Sequence, residues 1–293
     1  MSLRLGLLLG NQRAGLSRHE LFAAVADEAA VATEAGISLL VAPEHLDASP
    51  YAMLRPWPLL AGLRARLGSF DAIGSVVAGL TSEAQLRGDM TTVAAIGAGS
   101  VGVALAAGYR REDFAAAARE YDDRYRTRAE LRSALSGSGP VWSAARTTTA
   151  AARAGQDGAR WYAPATASED ELASFATASP EPGVIRCDVL LTDGADSDPG
   201  GLWTRFVAPK YDALGAWGFT DSAAGVLTGP AERVAEALAR RARVGHADTL
   251  VVRLAWPDMT PTEGAAHVRA FAHDVMPLLR MHSLTTTPSL GRH

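Results

Sequence analysis

The 293-residue sequence contains a single cysteine, Cys187. It therefore has no internal disulfide, no CxxC redox pair and no multi-cysteine zinc site, and a lone cysteine is expected to be a small buried core residue. The sequence also lacks the run of about 20 apolar residues that a membrane-spanning helix needs. Lysine is scarce, and 28 basic against 32 acidic side chains give a net charge of -4. This balance provides no electrostatic reason to expect a nucleic-acid partner.

The N-terminal segment runs directly into a strand-like stretch. It lacks the charged region, the apolar stretch and the cleavage site of a signal peptide. We therefore expect a soluble, cytoplasmic protein without a membrane partner.

Short apolar runs bounded by turn residues alternate with longer alanine-rich segments of helical period. This pattern is typical of parallel strands connected by helices. Eight strands are predicted, at Leu3–Leu9, Ile37–Ala42, Phe70–Val77, Val101–Ala106, Val141–Ala144, Ala159–Tyr162, Val184–Leu191 and Thr249–Leu254. The predicted helices are Arg18–Ala35, Trp57–Arg66, Glu83–Ile96, Arg111–Leu135, Thr147–Ala154, Pro230–Arg243 and Pro261–Leu279. Ser17 and Gly36 are expected to cap the first of them.

Parallel strands can form either an open doubly wound sheet or a closed barrel. A dinucleotide-binding sheet requires a GxGxxG turn after its first strand, and residues 10–15 read Gly-Asn-Gln-Arg-Ala-Gly. The count of eight strands favours the closed (β/α)₈ barrel. We expect one barrel domain over residues 1–282, a tryptophan-bearing stretch from Trp203 to Phe219 packed over one end of the barrel, and a disordered tail over residues 283–293.

In such barrels the working residues lie where strands end. The second predicted strand ends in Glu44 and His45, and a histidine there could act as a general acid or base. Alternatively, His45 is a hydrogen-bonded structural residue and Glu44 is its solvated neighbour. The fourth strand ends in Ala106, followed by Gly108 and Tyr109. A small-residue turn lets a flat ligand approach the backbone, although a tight βα turn alone would give the same sequence.

These segments follow one another in a recognisable order. They are Glu44-His45, residues 85–89 (Gln-Leu-Arg-Gly-Asp), residues 108–114 (Gly-Tyr-Arg-Arg-Glu-Asp-Phe), residues 139–143 (Gly-Pro-Val-Trp-Ser), residues 228–234 (Thr-Gly-Pro-Ala-Glu-Arg-Val) and residues 275–280 (Val-Met-Pro-Leu-Leu-Arg). In this order the sequence resembles the bacterial luciferase-like monooxygenase family, which includes deazaflavin (F420)-dependent oxidoreductases. The resemblance covers most of the chain and implies a luciferase-like (β/α)₈ barrel.

The resemblance also implies a set of site residues. His45 matches the active-site histidine beside the flavin ring, and Gly74 and Ser75 match a position against that ring. Cofactor-binding positions would further include Ala106, Gly108 and Tyr109. The loop that binds the flavin phosphate would comprise Ser143, Ala144, Ala145, Arg146 and Thr147, because helix N-termini bind anions. Arg124 lies where the family often places a phosphate-pairing arginine. The alternative for Arg124 is an exposed helix arginine paired with Asp123 or Glu120.

The sequence departs from the family at three places. The usual glycine-rich phosphate loop is replaced by Ser143-Ala144-Ala145-Arg146, the long segment after the fourth helix is nearly absent between Leu135 and Gly139, and Gly99-Ser100 replaces a glycine-arginine pair. These departures leave open a reshaped or non-catalytic pocket.

The leading hypothesis is a monooxygenase that uses O₂ and reduced FMN, supplied by a separate flavin reductase, on a small organic substrate. The alternatives are F420-dependent hydride transfer on the same scaffold and a non-catalytic flavin-binding barrel. Metal-dependent hydrolysis is not favoured, because no HxH pair or carboxylate cluster recurs at strand ends. The family commonly pairs barrels through the second and third helices, so a homodimer is expected, with Ala94, Ala95 and Ile96 as its small apolar surface.

Overall fold

The structure is a computed structural model, which describes residues 3–46, 51–192, 198–215 and 225–284. The strands within these ranges are β1 (Arg4–Leu8), β2 (Gln12–Arg13), β3 (Leu39–Pro43), β4 (Ala52–Met53), β5 (Asp71–Val77), β6 (Val101–Ala106), β7 (Val141–Ala144), β8 (Arg160–Ala163), β9 (Gly183–Leu191), β10 (Val226–Gly229) and β11 (Ala247–Arg253).

The α-helices within the same ranges are α1 (Arg18–Glu34), α2 (Pro56–Leu67), α3 (Glu83–Ile96), α4 (Arg111–Ala116), α5 (Arg124–Ala134), α6 (Thr148–Gln156), α7 (Glu169–Ala178), α8 (Pro199–Leu202), α9 (Ala208–Gly215), α10 (Ala231–Val244), α11 (Pro261–Ala270) and α12 (Met276–Leu284). Two π-helical segments, Trp203–Val207 and Phe271–Val275, join α8 to α9 and α11 to α12. No helix in the described ranges is long and apolar enough to cross a membrane.

Eight parallel strands among the described residues close into a barrel in the order β9-β11-β1-β3-β5-β6-β7-β8, and β8 pairs back onto β9. The closing register is Tyr162↔Val184 and Ala163↔Ile185. Each of the eight corresponds to one predicted strand. The (β/α)₈ barrel is therefore confirmed, and the open doubly wound sheet is excluded.

The barrel separates two apolar layers. One lies inside the ring of strands and comprises Leu8, Leu39, Val41, Ile73, Ala104, Trp142, Tyr162, Val184 and Val251. The larger layer lies between the strands and the surrounding helices and includes Cys187, which is buried as predicted. The caps predicted for α1 are also present: Ser17 forms a capping box with Glu20, and Gly36 has φ 94°.

Several elements differ from the sequence prediction. The long helix predicted over 111–135 is divided into α4 and α5, because Ala118 has φ 51° and the amide of Arg119 donates to the carbonyl of Phe114 (2.9 Å). Tyr121 then packs edge-on against Phe114, with ring centroids 5.3 Å apart. Tertiary packing thus overrides the helix propensity of this alanine-rich segment.

Several further elements were not predicted from the sequence. Helix α7 lies between β8 and β9, helices α8 and α9 lie between β9 and β10, β10 pairs with β9 outside the closed ring, and β2 pairs antiparallel with β4. Ser283 and Leu284, the first residues of the predicted tail, belong to α12, and the rest of that tail lies outside the described residues. Trp203 packs near Phe206 and Trp256, whereas Trp217 and Phe219 also lie outside the described residues.

Arg64 of α2 organises the amino-terminal end of the barrel. Its side chain is 1% exposed. It donates to five backbone carbonyls, those of Val93 (3.1 Å), Gly97 (2.8 Å), Phe70 (2.8 Å), Gly99 (2.9 Å) and Ser100 (3.0 Å). One guanidinium therefore joins α2 and the end of α3 to the segments that lead into β5 and β6.

We predict that Arg64→Met lowers the free energy of unfolding by at least about 3 kcal/mol, because an unsatisfied buried polar group costs roughly 1–3 kcal/mol and several carbonyls lose their donor. Arg66→Met is the matched control two residues along the same helix. Arg66 is half exposed and pairs with Asp27 on the surface, so its loss should cost less than about 1 kcal/mol. Urea denaturation followed by circular dichroism measures both, and equal losses would contradict the role of Arg64.

Candidate active site

A cavity of about 280 Å³ lies at the carboxyl ends of the barrel strands. This is the end at which the sequence places the working residues. Eight of the predicted site residues line the cavity: His45, Ser75, Ala106, Gly108, Tyr109, Ala144, Ala145 and Arg146. The ends of β3, β5, β6 and β7 therefore bring most of the predicted set together.

Two predicted residues on the strands are directed away from this cavity. A side chain at Gly74 would lie 2.6 Å from the ring of Trp57, because this face of β5 packs against α2 outside the barrel. Ser143 is fully buried in β7, and its hydroxyl lies 3.3 Å from Nη1 of Arg132 on α5. Neither residue is among those that line the cavity.

The predicted phosphate site is likewise only partly assembled at the cavity. The hydroxyl of Thr147 accepts from the amide of Ala150 and caps α6. The guanidinium of Arg124 lies 3.7 Å from the ring centroid of Tyr121 and 4.4 Å from that of Tyr125. Thr147 and Arg124 do not line the cavity, whereas Arg146 does. Assignment of the phosphate site to this group stays a prediction.

Glu44 fixes the end of β3 beside the cavity. Its Oε2 accepts from the backbone amide of Val77 at the end of β5 (3.0 Å), and its Oε1 pairs with Arg55 (2.8 Å). Burial raises the pKa of this carboxyl, while the Arg55 charge and the Val77 amide act in the opposite direction. Glu44 thereby holds the neighbouring His45 at the cavity, where its ring lies 6.1 Å from that of Tyr109 in an edge-on arrangement.

His45 is neutral at physiological pH. Burial lowers its pKa to about 4, and the positive charges of Arg110, Arg253, Arg186 and Lys210 act in the same direction. A neutral imidazole can accept a proton through one ring nitrogen and donate a hydrogen bond through the other. This ring can therefore accept a proton or donate a hydrogen bond in its neutral form.

Sequence reasoning missed a charged cluster on the cavity wall. It consists of Arg186 and Asp188 on β9, Lys210 on α9 and Arg253 at the end of β11, and all four line the cavity. Nε and Nη2 of Arg186 each lie 2.8 Å from an oxygen of Asp188, Nζ of Lys210 lies 2.9 Å from Oδ2, and Nε of Arg253 lies 3.6 Å from Oδ1. The available signal was two charged residues at alternate positions of the otherwise apolar strand β9.

A further polar framework holds the loops on one side of the cavity. Asn11 is fully buried, and its Nδ2 donates to the carbonyls of Pro43 (3.0 Å) and Leu54 (2.9 Å). Arg13 is also fully buried and donates to the carbonyl of Met259 (2.7 Å). The loop after β1 is thus tied to the loops after β3 and β11, which fixes the position of the strand end that carries His45.

The chain matches no family model, and no curated protein is significantly similar to it in sequence. Solved structures do match. The monooxygenase RslO1 from Streptomyces bottropensis superimposes with a TM-score of 0.79 at 17% identity, over 94% of this chain and 99% of that one. The chain therefore shares the (β/α)₈ barrel fold of this structure.

Two more solved structures share this fold. The oxygenating constituent of 3,6-diketocamphane monooxygenase from Pseudomonas putida, a type II Baeyer-Villiger monooxygenase in complex with FMN, matches with a TM-score of 0.68 at 13% identity, over 94% of this chain and 99% of that one. The EDTA monooxygenase from Chelativorans sp. BNC1 matches with a TM-score of 0.68 at 13% identity, over 96% of this chain and 94% of that one. The similarity spans nearly the full length of each chain.

We predict that His45 titrates near pH 4 in the folded protein, compared with about 6.5 in the unfolded chain. Between these values the unfolded chain binds a proton that the folded protein does not. The wild type should therefore lose stability relative to His45→Gln as the pH falls through this window, by about 1.4 kcal/mol per pH unit.

Histidine NMR on labelled protein measures the midpoint directly, and the His45 signal is identified by its loss in His45→Gln. Urea denaturation of both proteins across the pH range measures the stability difference. A midpoint near 6.5 would show that the ring is hydrated and remote from the charged cluster.

Proposed function

We propose that the protein is an FMN-dependent monooxygenase that uses reduced FMN and O₂ on a small organic substrate. The proposal is carried by one observation: a cavity lined by eight of the predicted site residues lies at the carboxyl end of a barrel that matches a monooxygenase over 94% of this chain. One of the matching structures holds FMN. Ligand sites of such barrels lie at this end of the strands.

The lining of the cavity fits a flavin. Ala104, Ala106 and Ala144 present small side chains over which a flat ring system can lie, and Tyr109 provides an aromatic neighbour. Gly108 has φ 82°, and a side chain there would lie 2.6 Å from Val77. A glycine is therefore required for the tight turn that follows β6.

Arg146 is the residue best placed to bind the FMN phosphate. Its exposed side chain lines the cavity immediately before α6. A cation next to a helix N-terminus provides both a charged donor and oriented backbone amides for an anion. The ring system would then extend inward toward His45, with the phosphate at the rim.

FMN, reduced by a separate flavin reductase, supplies the activation of O₂ when it is bound. His45 would accept a proton or donate a neutral hydrogen bond beside the ring. Burial raises the pKa of Tyr109 well above its usual value, so its hydroxyl stays protonated and acts as a donor. Apolar side chains such as Leu8, Val76 and Leu105 exclude water from the substrate side of the cavity.

The protein is further proposed to act as a homodimer. Ala94, Ala95 and Ile96 of α3 are all exposed, and Ile96 is 42% exposed. These residues form the apolar helix surface that is expected to contact the second barrel. The cytoplasmic location stays a prediction.

Cofactor binding tests the proposal directly. We predict that fluorescence titration detects binding of FMN, with weaker binding of F420, and that the protein changes the rate at which reduced FMN is reoxidised by O₂. Tighter binding of F420 would instead support hydride transfer. A protein that binds FMN without altering its reoxidation would be a non-catalytic flavin-binding barrel.

The phosphate assignment leads to a separate prediction. Arg146→Ala should weaken FMN binding by about tenfold or more, because a hydrogen bond to a charged group contributes roughly 1.5–3 kcal/mol. Riboflavin, which has no phosphate, should bind both proteins equally. Arg124→Ala is the matched comparison, since Arg124 stacks between two tyrosines away from the cavity. A larger effect at Arg124 than at Arg146 would place the phosphate beside α5.

A further inference from the structure

Tyr162 on β8 has a hydroxyl that the protein itself does not use. The side chain is 8% exposed, lies inside the ring of strands and lines the cavity. Among the described residues, no group forms a hydrogen bond with this hydroxyl. An unpaired polar group is unfavourable in an apolar environment. A donor left unpaired on a buried cavity wall therefore indicates that a bound molecule accepts from it.

The surrounding strands hold Tyr162 in one position. Its backbone pairs with Ala144 of β7 and with Val184 of β9, and its carbonyl accepts from the amide of Ala145 (2.9 Å). Its ring packs against that of Trp142, with centroids 5.5 Å apart and planes at 55°. Burial raises the pKa of the hydroxyl to about 12, so it keeps its proton at neutral pH. The cavity thus has a hydrogen-bond donor at a fixed place.

Tyr162 also lies across the cavity from His45. Strands β8 and β3 are separated by β5, β6 and β7 in one direction around the ring and by β1, β11 and β9 in the other. His45 follows β3, so the two side chains belong to opposite walls of the cavity. A molecule that spans the cavity can therefore contact both of them.

A second hydroxyl, that of Thr166, lines the cavity just after β8. It too has no hydrogen-bonding partner in the part of the chain that the structure describes. Its loop is held from outside, because Nη2 of Arg241 on α10 donates to the carbonyls of Ala165 (3.2 Å) and Ala167 (2.9 Å). The nearby carboxylate of Asp188 is paired with charged residues of β9 and α9. The groups that the end of β8 offers to a ligand are therefore uncharged.

We propose that Tyr162 is a specificity-determining residue, whose hydroxyl donates to an uncharged oxygen of the substrate, such as a carbonyl oxygen, and so orients the substrate toward His45. The proposal rests on the proposed function for the identity of the bound molecule as substrate. A molecule that fills the cavity without an oxygen at this position would leave the hydroxyl unpaired, which disfavours its binding. Tyr162 would therefore select for the acceptor, while the apolar lining selects for shape.

Two uncharged probes of the same shape test this assignment: acetophenone, and α-methylstyrene, in which a methylene group replaces the carbonyl oxygen. Saturation-transfer NMR titrations measure both affinities, on protein with and without saturating FMN. Tyr162→Phe removes only the hydroxyl, so the preference for acetophenone over α-methylstyrene should fall at least about fivefold. Tyr125→Phe removes a hydroxyl from the exposed surface of α5 and is the matched control, which should leave the preference unchanged.

Two further measurements separate a ligand contact from a structural role. The carbonyl carbon of labelled acetophenone should move downfield in the NMR spectrum when it binds to wild type, because the carbonyl accepts a hydrogen bond, and this shift should be absent in Tyr162→Phe. The urea midpoint of Tyr162→Phe should not fall below that of wild type, since the hydroxyl has no partner among the described residues.

Failure of wild type to bind acetophenone, or an unchanged preference in Tyr162→Phe, would overturn the proposal. A lowered urea midpoint in that variant would also overturn it, because the hydroxyl would then have a structural partner. A fall in preference in Thr166→Val alone would assign the contact to Thr166. Displacement of acetophenone by FMN, with weaker FMN binding in Tyr162→Phe, would assign the hydroxyl to the flavin. If wild type does not bind FMN but the preference still depends on Tyr162, the proposed function fails and the hydrogen-bonding site stands.

Discussion

The pairing of β9 with its neighbours is the constraint on which the rest of this structure depends. The strand pairs with β8 to close the ring, with β11 along most of its length and with β10 beyond the ring. At its start, Gly183 lies against Trp161, and any side chain there would lie 2.0 Å from that ring. Successive side chains then alternate between the helices outside and the barrel inside. The strand that closes the fold therefore also carries Arg186 and Asp188 to the cavity.

Periodicity predicted the barrel well because its eight strands are mainly apolar segments that alternate with helical segments along the chain. It was wrong about elements whose boundaries depend on tertiary packing. Residues 111–135 have a composition that favours one helix, and packing around Phe114 and Tyr121 divides it. The missed helix α7 had a readable start, since Ser168 and Glu171 form a capping box. The two-residue strands β2 and β4 are too short to leave any pattern.

The site was predictable to the extent that it lies at strand ends. The resemblance placed His45, Ser75, Tyr109 and Arg146 at one end of the barrel, and all four line the cavity. It could not indicate which strand residues face the helices instead of the cavity. Successive residues of β5 face opposite sides of the barrel wall, so Gly74 faces Trp57. The charged cluster on the cavity wall was missed because Lys210 comes from a separate element, 22 residues after Asp188, and only folding brings its amine to 2.9 Å from that carboxylate.

The position of Lys210 has a practical consequence for the chemistry of the whole molecule. Since it is the only lysine, no other side chain in the chain has a primary amine, and the exposed positive charge of the surface is provided by guanidinium groups. Amine-directed reagents, including acylating labels, cross-linkers and immobilisation surfaces, can react only with the chain terminus or with a group inside the cavity. Stoichiometric acylation of the side chain would therefore report on access to the site itself, against a surface that is silent to the reagent.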